Sequence, residues 1–243
     1  MKRLANYSQY FLRNPRMVAE LIGHSSIKRS DTVYDIGAGS GVIASALSRR
    51  CKEVIAVEVE PRMAEKLRDN MARYDNVTVL EDDFLSMELP AGPYKIFANI
   101  PFHLSSPIVR KITESDNSPV AAYLIVQKQF ANKLLPDHEG FTGLLGMMIG
   151  PWWAVRIRKR LQKTDFWPHP AVDTVMIELV RRDEPLVKFE DRERYVRMVE
   201  GCFSDPKIFV KLPIEKIGLT REVKPSQMKL SQWVEVFPYG PTK

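Results

Sequence analysis

Cysteine is scarce in this sequence: Cys51 and Cys202 stand alone among 243 residues. Two isolated thiols make neither a disulfide framework nor a zinc pattern, and both read as small buried hydrophobes in a reducing compartment. Histidine is nearly as rare, with His24, His103, His138 and His169 scattered along the chain, and none is assigned to a metal. No stretch approaches the roughly 18 apolar residues that cross a bilayer. The N-terminus also lacks the apolar core of a signal peptide, so the expectation is a cytoplasmic chain that keeps away from membranes. Internal repeats and low-complexity tracts are missing. What is present is a hydrophobic content of 44% with 9% aromatics, enough for a real core. The length suits one large domain with a small appendage, or two modest domains. Lys and Arg number 36 against 30 Asp and Glu, and that excess favours a polyanionic partner.

Short β-branched runs alternate with helical patterns through about the first 180 residues. Thr32–Ile36, Val54–Val59, Val77–Leu80, Lys95–Ala98 and Ala121–Val126 have the texture of buried strands. Val42–Arg50 sets Ile43, Ala46 and Leu47 on one helical face, and a second helix opens at Pro61 with Met63, Leu67 and Met71 spaced by four. Such alternation predicts a mostly parallel sheet covered by helices on both faces. Trp152–Leu161 and Val172–Val180 read as two late strands forming an antiparallel edge, separated by the turn Trp167-Pro168-His169-Pro170. Beyond Arg182 the pattern becomes helical, at Phe189–Phe203, Pro206–Ile217 and Ser226–Phe237. The predicted division is therefore a catalytic α/β domain over 1–182 and a small all-helical domain over 183–243.

The first predicted strand runs into Asp35-Ile36-Gly37-Ala38-Gly39-Ser40-Gly41. Glycines at such a turn let the backbone approach a ligand. A dinucleotide fold wants glycines at relative positions 1, 3 and 6, whereas here they fall at 37, 39 and 41, with Val42 where the third is needed. That spacing suits S-adenosylmethionine, which has no phosphate to cradle. Glu58 ends the next strand, where a carboxylate accepts from both hydroxyls of a ribose. Alone it would equally read as a solvated strand-end charge. Asp83 follows the third strand, placed to accept from an adenine amino group. Asn99 closes the fourth. Ligands of open α/β sheets bind outside these carboxyl ends, and four polar stations at successive strand ends point to a Rossmann-like class I methyltransferase.

Asn99-Ile100-Pro101-Phe102 carries the chemistry. An exocyclic base amine is a poor nucleophile because its lone pair is delocalised into the ring. Acceptors for its two N–H bonds, the Asn99 Oδ1 and the Ile100 carbonyl, favour a pyramidal nitrogen whose lone pair faces the methyl donor. Pro101 fixes the turn that aims both inward, and Phe102 stacks on the flat base. His103 follows the motif directly and is a candidate to touch substrate.

With these residues in place the chain resembles the rRNA adenine N6-methyltransferases, the Erm-type enzymes of the large subunit and the dimethyladenosine transferases of the small subunit. Ser8-Gln9-Tyr10-Phe11-Leu12 is similar to the family's S-Q-N-F-L, and Asp82-Asp83-Phe84-Leu85 follows in family order. Thr164–Val172 is similar to its F-x-P-x-P-x-V segment, and Leu230-Ser231-Gln232-Trp233 to its closing helix. The resemblance implies that Tyr10, Leu12, Gly37, Gly39, Glu58, Asp83 and Asn99 hold S-adenosylmethionine. It implies that Asn99, Ile100, Pro101 and Phe102 address an adenine flipped out of its stack, with Phe166 packing from the far side. Two departures stand out. Tyr10 replaces the family's Asn, and its ring is expected to cover the cofactor instead. Asp205-Pro206 follows Phe203-Ser204 where the family carries clustered Arg and Lys, which weakens the case for that surface gripping RNA.

Arg156, Arg158, Lys159, Arg160 and Lys163 form the densest basic run, with Lys2, Arg3, Arg13 and Arg16 around the N-terminal motif. On a strand Arg156, Arg158 and Arg160 share one face. They read either as RNA-backbone contacts or as a solvated edge that uses charge against aggregation. Trp152, Trp153 and Trp167 are expected to be core or hinge packing. The leading expectation is a monomer that methylates N6 of one adenine in 23S rRNA, a macrolide-resistance type of activity, without metal. Ile100, where the small-subunit enzymes usually have Leu, and the short C-terminal domain favour it. The alternative is a 16S rRNA dimethyladenosine transferase. A transcription-factor relative that binds nucleic acid without catalysis is a third reading, which Tyr10 keeps open.

Overall fold

The computed structural model describes residues 10–12, 14–138 and 141–240. Lys2, Arg3, Ser8, Gln9 and Arg13 lie outside the described residues. In chain order the first half comprises β1 (Phe11–Leu12), α1 (Pro15–Gly23), β2 (Thr32–Ile36), α2 (Val42–Leu47), β3 (Glu53–Glu58), α3 (Pro61–Met71), β4 (Val77–Glu81), β5 (Lys95–Asn99), α4 (Ser105–Glu114) and β6 (Ala121–Gln127). The second half adds α5 (Lys128–Leu134), α6 (Leu144–Ile149), β7 (Trp153–Leu161), β8 (Phe166–Trp167), β9 (Thr174–Arg181), α7 (Arg192–Ser204), α8 (Pro206–Lys211) and α9 (Leu230–Val236).

The five early strands fall where their apolar runs predict. They pair in parallel, β4 to β3, β3 to β2, β2 to β5 and β5 to β6, within a seven-stranded sheet ordered β4-β3-β2-β5-β6-β9-β7. β2, β3, β5 and β6 are buried almost throughout, as strands covered on both faces must be, while edge strand β4 is half exposed. The two late strands occupy the opposite end of the sheet, as predicted. Helix starts follow local chemistry. The Asn14 side chain accepts from the Arg16 and Met17 amides ahead of α1, and the Glu60 side chain does the same for Arg62 and Met63 ahead of α3. Each helix takes Pro at its first position, where no amide is missed. α2 stops at Leu47, shorter than predicted.

The fold is the predicted α/β architecture with a helical C-terminal part, but the chain divides elsewhere than at 182/183. One compact unit runs to Lys128 and resumes over Ile157–Leu179; the other comprises Gln129–Arg156 and the chain from Val180 onward. The division falls inside β7 and β9. Residues 129–156 join the C-terminal helices because α6 is buried on every side and needs their cover. The Tyr195 hydroxyl of α7 donates to the Met147 carbonyl at 3.1 Å, Thr142 Oγ1 donates to the Met228 carbonyl at 2.9 Å, and the Leu230 amide donates to the Pro136 carbonyl at 3.0 Å. Trp152 meets Tyr195 edge-on, and Trp233 stacks on Phe203. Trp152 and Trp153 are core residues here, as expected. Both cysteines are buried, and loss of hydration pushes each thiol up to about 11.

Candidate active site

The first unit carries a cleft beyond the carboxyl ends of β2, β3 and β5. It holds about 540 Å³, counting the part open to solvent, and its walls include Tyr10, Gly37, Gly39, Glu58, Asn99 and Phe102. A neighbouring recess, lined in part by Leu12 and Asp35, shares Phe11, Gly37 and Asn99 with it. Ile100 and Pro101 also line the cleft. Most of the residues selected from sequence therefore converge on one place.

The glycine loop has the shape its spacing implies. Gly37, Gly39 and Gly41 all have positive φ, at 67°, 56° and 88°. The Gly37 and Ala38 amides donate to the Val57 carbonyl at 2.8 and 3.0 Å, which ties the loop to β3. A Cβ at Gly39 would sit 3.2 Å from the Phe11 ring, and one at Gly41 would strike Leu67 and Met71 at 2.7 Å. Gly39 therefore keeps the cleft wall flat, whereas Gly41 lets α3 pack closely.

Glu58 is buried at the end of β3. Its Oε2 accepts from the Gly39 amide at 2.8 Å and its Oε1 from the Glu60 amide at 3.1 Å. An ionised carboxylate offers about four acceptor sites, so these bonds orient the group and leave lone pairs for a ligand diol. Asn99 is held from the other side: its Nδ2 donates to the Tyr10 carbonyl at 2.6 Å. A carbonyl accepts only from the NH2 end of an amide, so this bond determines which end is which and presents Oδ1 as the acceptor. The Ile100 carbonyl accepts no hydrogen bond within the chain among the described residues. Phe102 meets the Tyr10 ring at 5.3 Å with the planes 34° apart.

Asp35 adds a group whose isolation the sequence did not reveal. Its carboxyl is fully buried, lines the recess, and has neither oxygen hydrogen-bonded. Burial pushes it up to about 8; the Ala44 amide, outside full hydrogen-bonding geometry, offsets this in part, and the Glu58 charge adds to it. A buried carboxyl of this kind stays protonated near neutral pH unless a cationic partner reaches it. Val59 and Met63 were also missed from sequence; they supply apolar wall beside Glu58. Their position one and five residues beyond Glu58 was the available signal.

Two selected residues sit differently. Asp83 is exposed and is not part of the cleft wall: its Oδ1 accepts from the Leu85 amide at 2.9 Å, closing the turn after β4. Phe166 is fully buried rather than facing the cleft. It pairs with Leu12 across the two-stranded ribbon of β1 and β8, so the face it occupies is turned inward. The basic strand is also partly committed. Arg156, Arg158 and Arg160 are all exposed, as alternation predicts. Arg158, however, donates to the His24 carbonyl at 3.2 Å and lies 3.7 Å from Glu178, and Lys159 pairs with Glu20 at 2.7 Å. Lys163 donates to the Ala171 carbonyl at 3.0 Å. Among the described residues no three His, Cys, Asp or Glu side chains gather as a metal site, and no helix is long and apolar enough to cross a membrane.

Comparison with known proteins decides the family. A family model described as ribosomal RNA adenine dimethylase matches residues 2–227. The chain belongs to that family. An rRNA adenine N-6-methyltransferase of Lysinibacillus sphaericus is 31% identical over 234 residues, spanning 95% of this chain and 93% of that protein. The ribosomal RNA small subunit methyltransferase A of a Streptococcus agalactiae strain is 29% identical over 210 residues, 82% of this chain and 72% of that one. Among solved structures, the 23S rRNA methyltransferase ErmE superposes with a TM-score of 0.82 at 27% identity, over 94% of this chain and 98% of that one. A dimethyladenosine transferase from Plasmodium falciparum gives 0.70 at 25% identity, over 86% and 78%. The protein is thus an rRNA adenine methyltransferase, of a family and fold that generally use S-adenosylmethionine.

Proposed function

We propose that this protein methylates N6 of one adenine in 23S rRNA, in the manner of the Erm enzymes. The observation that supports it best is the structural match: ErmE superposes with a TM-score of 0.82 over 98% of its chain, against 0.70 over 78% for the dimethyladenosine transferase. Ile100 agrees with that choice. A resistance role follows from the same reading.

The residues present fit S-adenosylmethionine. The flat glycine wall admits a ligand against backbone, Glu58 has lone pairs for ribose hydroxyls, and Val59 and Met63 give a flat base an apolar wall. The orphaned carboxyl of Asp35 suits the cationic amino-acid end. When bound, S-adenosylmethionine supplies a methyl on a sulfonium, a leaving group that needs no metal or acid to depart.

The chain's own work is positioning and polarisation. Asn99 Oδ1 and the Ile100 carbonyl accept the two N–H bonds of the target amine, drawing its lone pair out of conjugation. Phe102 stacks on the base, which must leave its helix to reach a site walled by backbone. A new N–C bond forms as the S–C bond breaks, and the one proton the nitrogen must lose passes to water. Phe166 is not carried into this scheme as a wall, because it is buried. Asp83 is not part of the cleft wall, but its Oδ2 is left to accept from a ligand that reaches past the wall. Mapping methylated adenines after incubation with protein-free 23S and 16S rRNA tests the reading. A single modified 23S adenine is the expected result; modification confined to paired adenines of the 16S 3′ hairpin would overturn it in favour of the small-subunit activity.

A further inference from the structure

A second hollow opens on the first unit, between α1 and α2, and shares no wall residue with the cleft among the described residues. It holds about 870 Å³, counting the part open to solvent, against about 540 Å³ for the cleft. Ala19 and Ile22 of α1 and Ala46 of α2 give it an apolar floor. Arg49 and Arg50 follow α2, Arg73 and Tyr74 follow α3, and these four supply its polar wall. No acidic side chain joins them among the described residues. The three arginines are exposed, and none pairs with a carboxylate among the described residues. Arg73 donates instead to the Tyr74 hydroxyl at 3.1 Å. Burial would raise the Tyr74 phenol, yet Arg73 and Arg49 bring it below its ordinary value, so two guanidinium groups stand near one oxygen. Like charges gathered without an acid repel one another, and an anion in the hollow relieves that cost.

We propose that this groove grips the phosphodiester backbone of the RNA segment next to the target adenine. The proposal rests on the rRNA reading above and adds to it a contact outside the base-accepting cleft. Phosphates are the anions such a substrate offers, and guanidinium groups pair with their oxygens in a bidentate fashion. The groove follows α1 from Pro15 to Gly23, a length of about 13 Å, which is the rise of about four stacked nucleotides. One end adjoins the site: Pro15 stands three residues beyond Leu12 of the recess, and Ser45 one turn beyond Val42 of the same recess. Basic strand β7 borders α1 as well, since Glu20, next to Ala19 of the floor, meets Lys159 at 2.7 Å. Cationic surface on more than one side of α1 suits a polyanion that passes over the helix better than a compact anion. Contacts of this kind carry no base sequence; they fix the register in which the adenine reaches the cleft.

A triple variant, Arg49→Gln with Arg50→Gln and Arg73→Gln, removes the charge and keeps polar side chains. Its binding to an RNA hairpin with a looped adenine should show a log–log salt slope shallower by about 2 to 3, and an affinity about a hundredfold lower at about 0.1 M salt. S-adenosylmethionine affinity and melting temperature should not fall, and the loss in methylation should appear in KM rather than kcat. The control is Lys207→Gln with Lys211→Gln on α8, where both lysines are exposed and lie outside the groove. A salt slope equal to the parent's, or a change per charge no greater than in the α8 control, overturns the groove. Tripolyphosphate binding that the triple variant loses while hairpin binding stays intact overturns it in favour of a small-anion site. Loss of binding to an acidic polypeptide, again with hairpin binding intact, overturns it in favour of a protein partner. If the triple variant loses hairpin affinity while the parent methylates neither rRNA, the groove stands and the functional reading falls. If the parent methylates 23S rRNA and the triple variant keeps its slope, the reverse holds.

Discussion

Asn99 and Tyr10 are 89 residues apart in sequence, yet the Asn99 side chain donates to the Tyr10 carbonyl at 2.6 Å. The bond uses the backbone of Tyr10, so the family's Asn at that position can be lost without losing this anchor. It identifies Oδ1 as the acceptor end of the Asn99 amide, the atom we propose meets the target amine.

Asn99→Ala should therefore lower single-turnover methylation by about a hundredfold or more while RNA affinity changes little, since the lost interactions mature only as the nitrogen pyramidalises. Tyr10→Phe should be nearly silent, because it keeps both the carbonyl and the ring against Phe102. Filter binding beside a methyl-transfer assay separates these effects. Equal losses in binding and turnover for Asn99→Ala would contradict the assignment.

Asp35 makes stability depend on pH. Its ordinary value near 3.8 rises to about 8 in the folded chain. Between those values the folded state holds a proton that the unfolded state has released. The contribution of Asp35 to stability is thus greatest below about pH 4, declines as pH rises through that interval, and is flat above it. Asp35→Asn should remove the decline, leaving the variant more stable than the parent at pH 8.5, on the order of a few kcal/mol. Binding of a cationic ligand near neutral pH should expel the Asp35 proton. Calorimetry in buffers of differing ionisation enthalpy measures that release, and the same pH dependence of melting temperature in the parent and in Asp35→Asn would refute the premise.

Gly41→Ala should be destabilising by about 2 kcal/mol, because φ of 88° strains any L-residue and the new methyl meets Leu67 and Met71 at 2.7 Å. Gly39→Ala is also strained, at φ of 56°, but its methyl has only the edge of the Phe11 ring to displace. It should cost less stability and more S-adenosylmethionine affinity. Thermal melts with ligand titrations check both, and a reversed order would disprove the division of labour.

Arg158 and Arg160 share a strand face but not a role. Arg158→Ala strips the nearby Glu178 of its counter-charge and should lower stability by about 1 kcal/mol with an unaltered salt slope of RNA binding. Arg160→Ala should leave stability untouched and shallow that slope by about 0.7 to 0.9. The same salt slope for Arg160→Ala and the parent would return the strand to a purely structural role.

Much of this molecule is written locally. Strands β2, β3, β5 and β6 are legible because a fully covered parallel sheet demands continuous β-branched runs. The loop at Gly37–Gly41 and the motif at Asn99–Phe102 are legible because turn chemistry and amine activation each demand particular residues. α6 was not legible: an apolar run buried on every side has no periodicity. The assignment of residues 129–156 to the C-terminal unit was hidden for the same reason.

What only the tertiary structure decided are matters of facing and partnership. Alternation in Phe166-Trp167 says that one ring points each way but not which; packing against Leu12 turned Phe166 inward and Trp167 outward. One oxygen of Asp83 closes its own turn because a nearer amide competes for the carboxylate. Asp35 lost its hydration without gaining a bond, and Asn99 gained the Tyr10 carbonyl. Local pattern determines which residues stand at the strand ends. The meeting of distant segments determines which of their atoms remain available for chemistry, because burial and hydrogen-bond competition are settled only when the chain closes on itself.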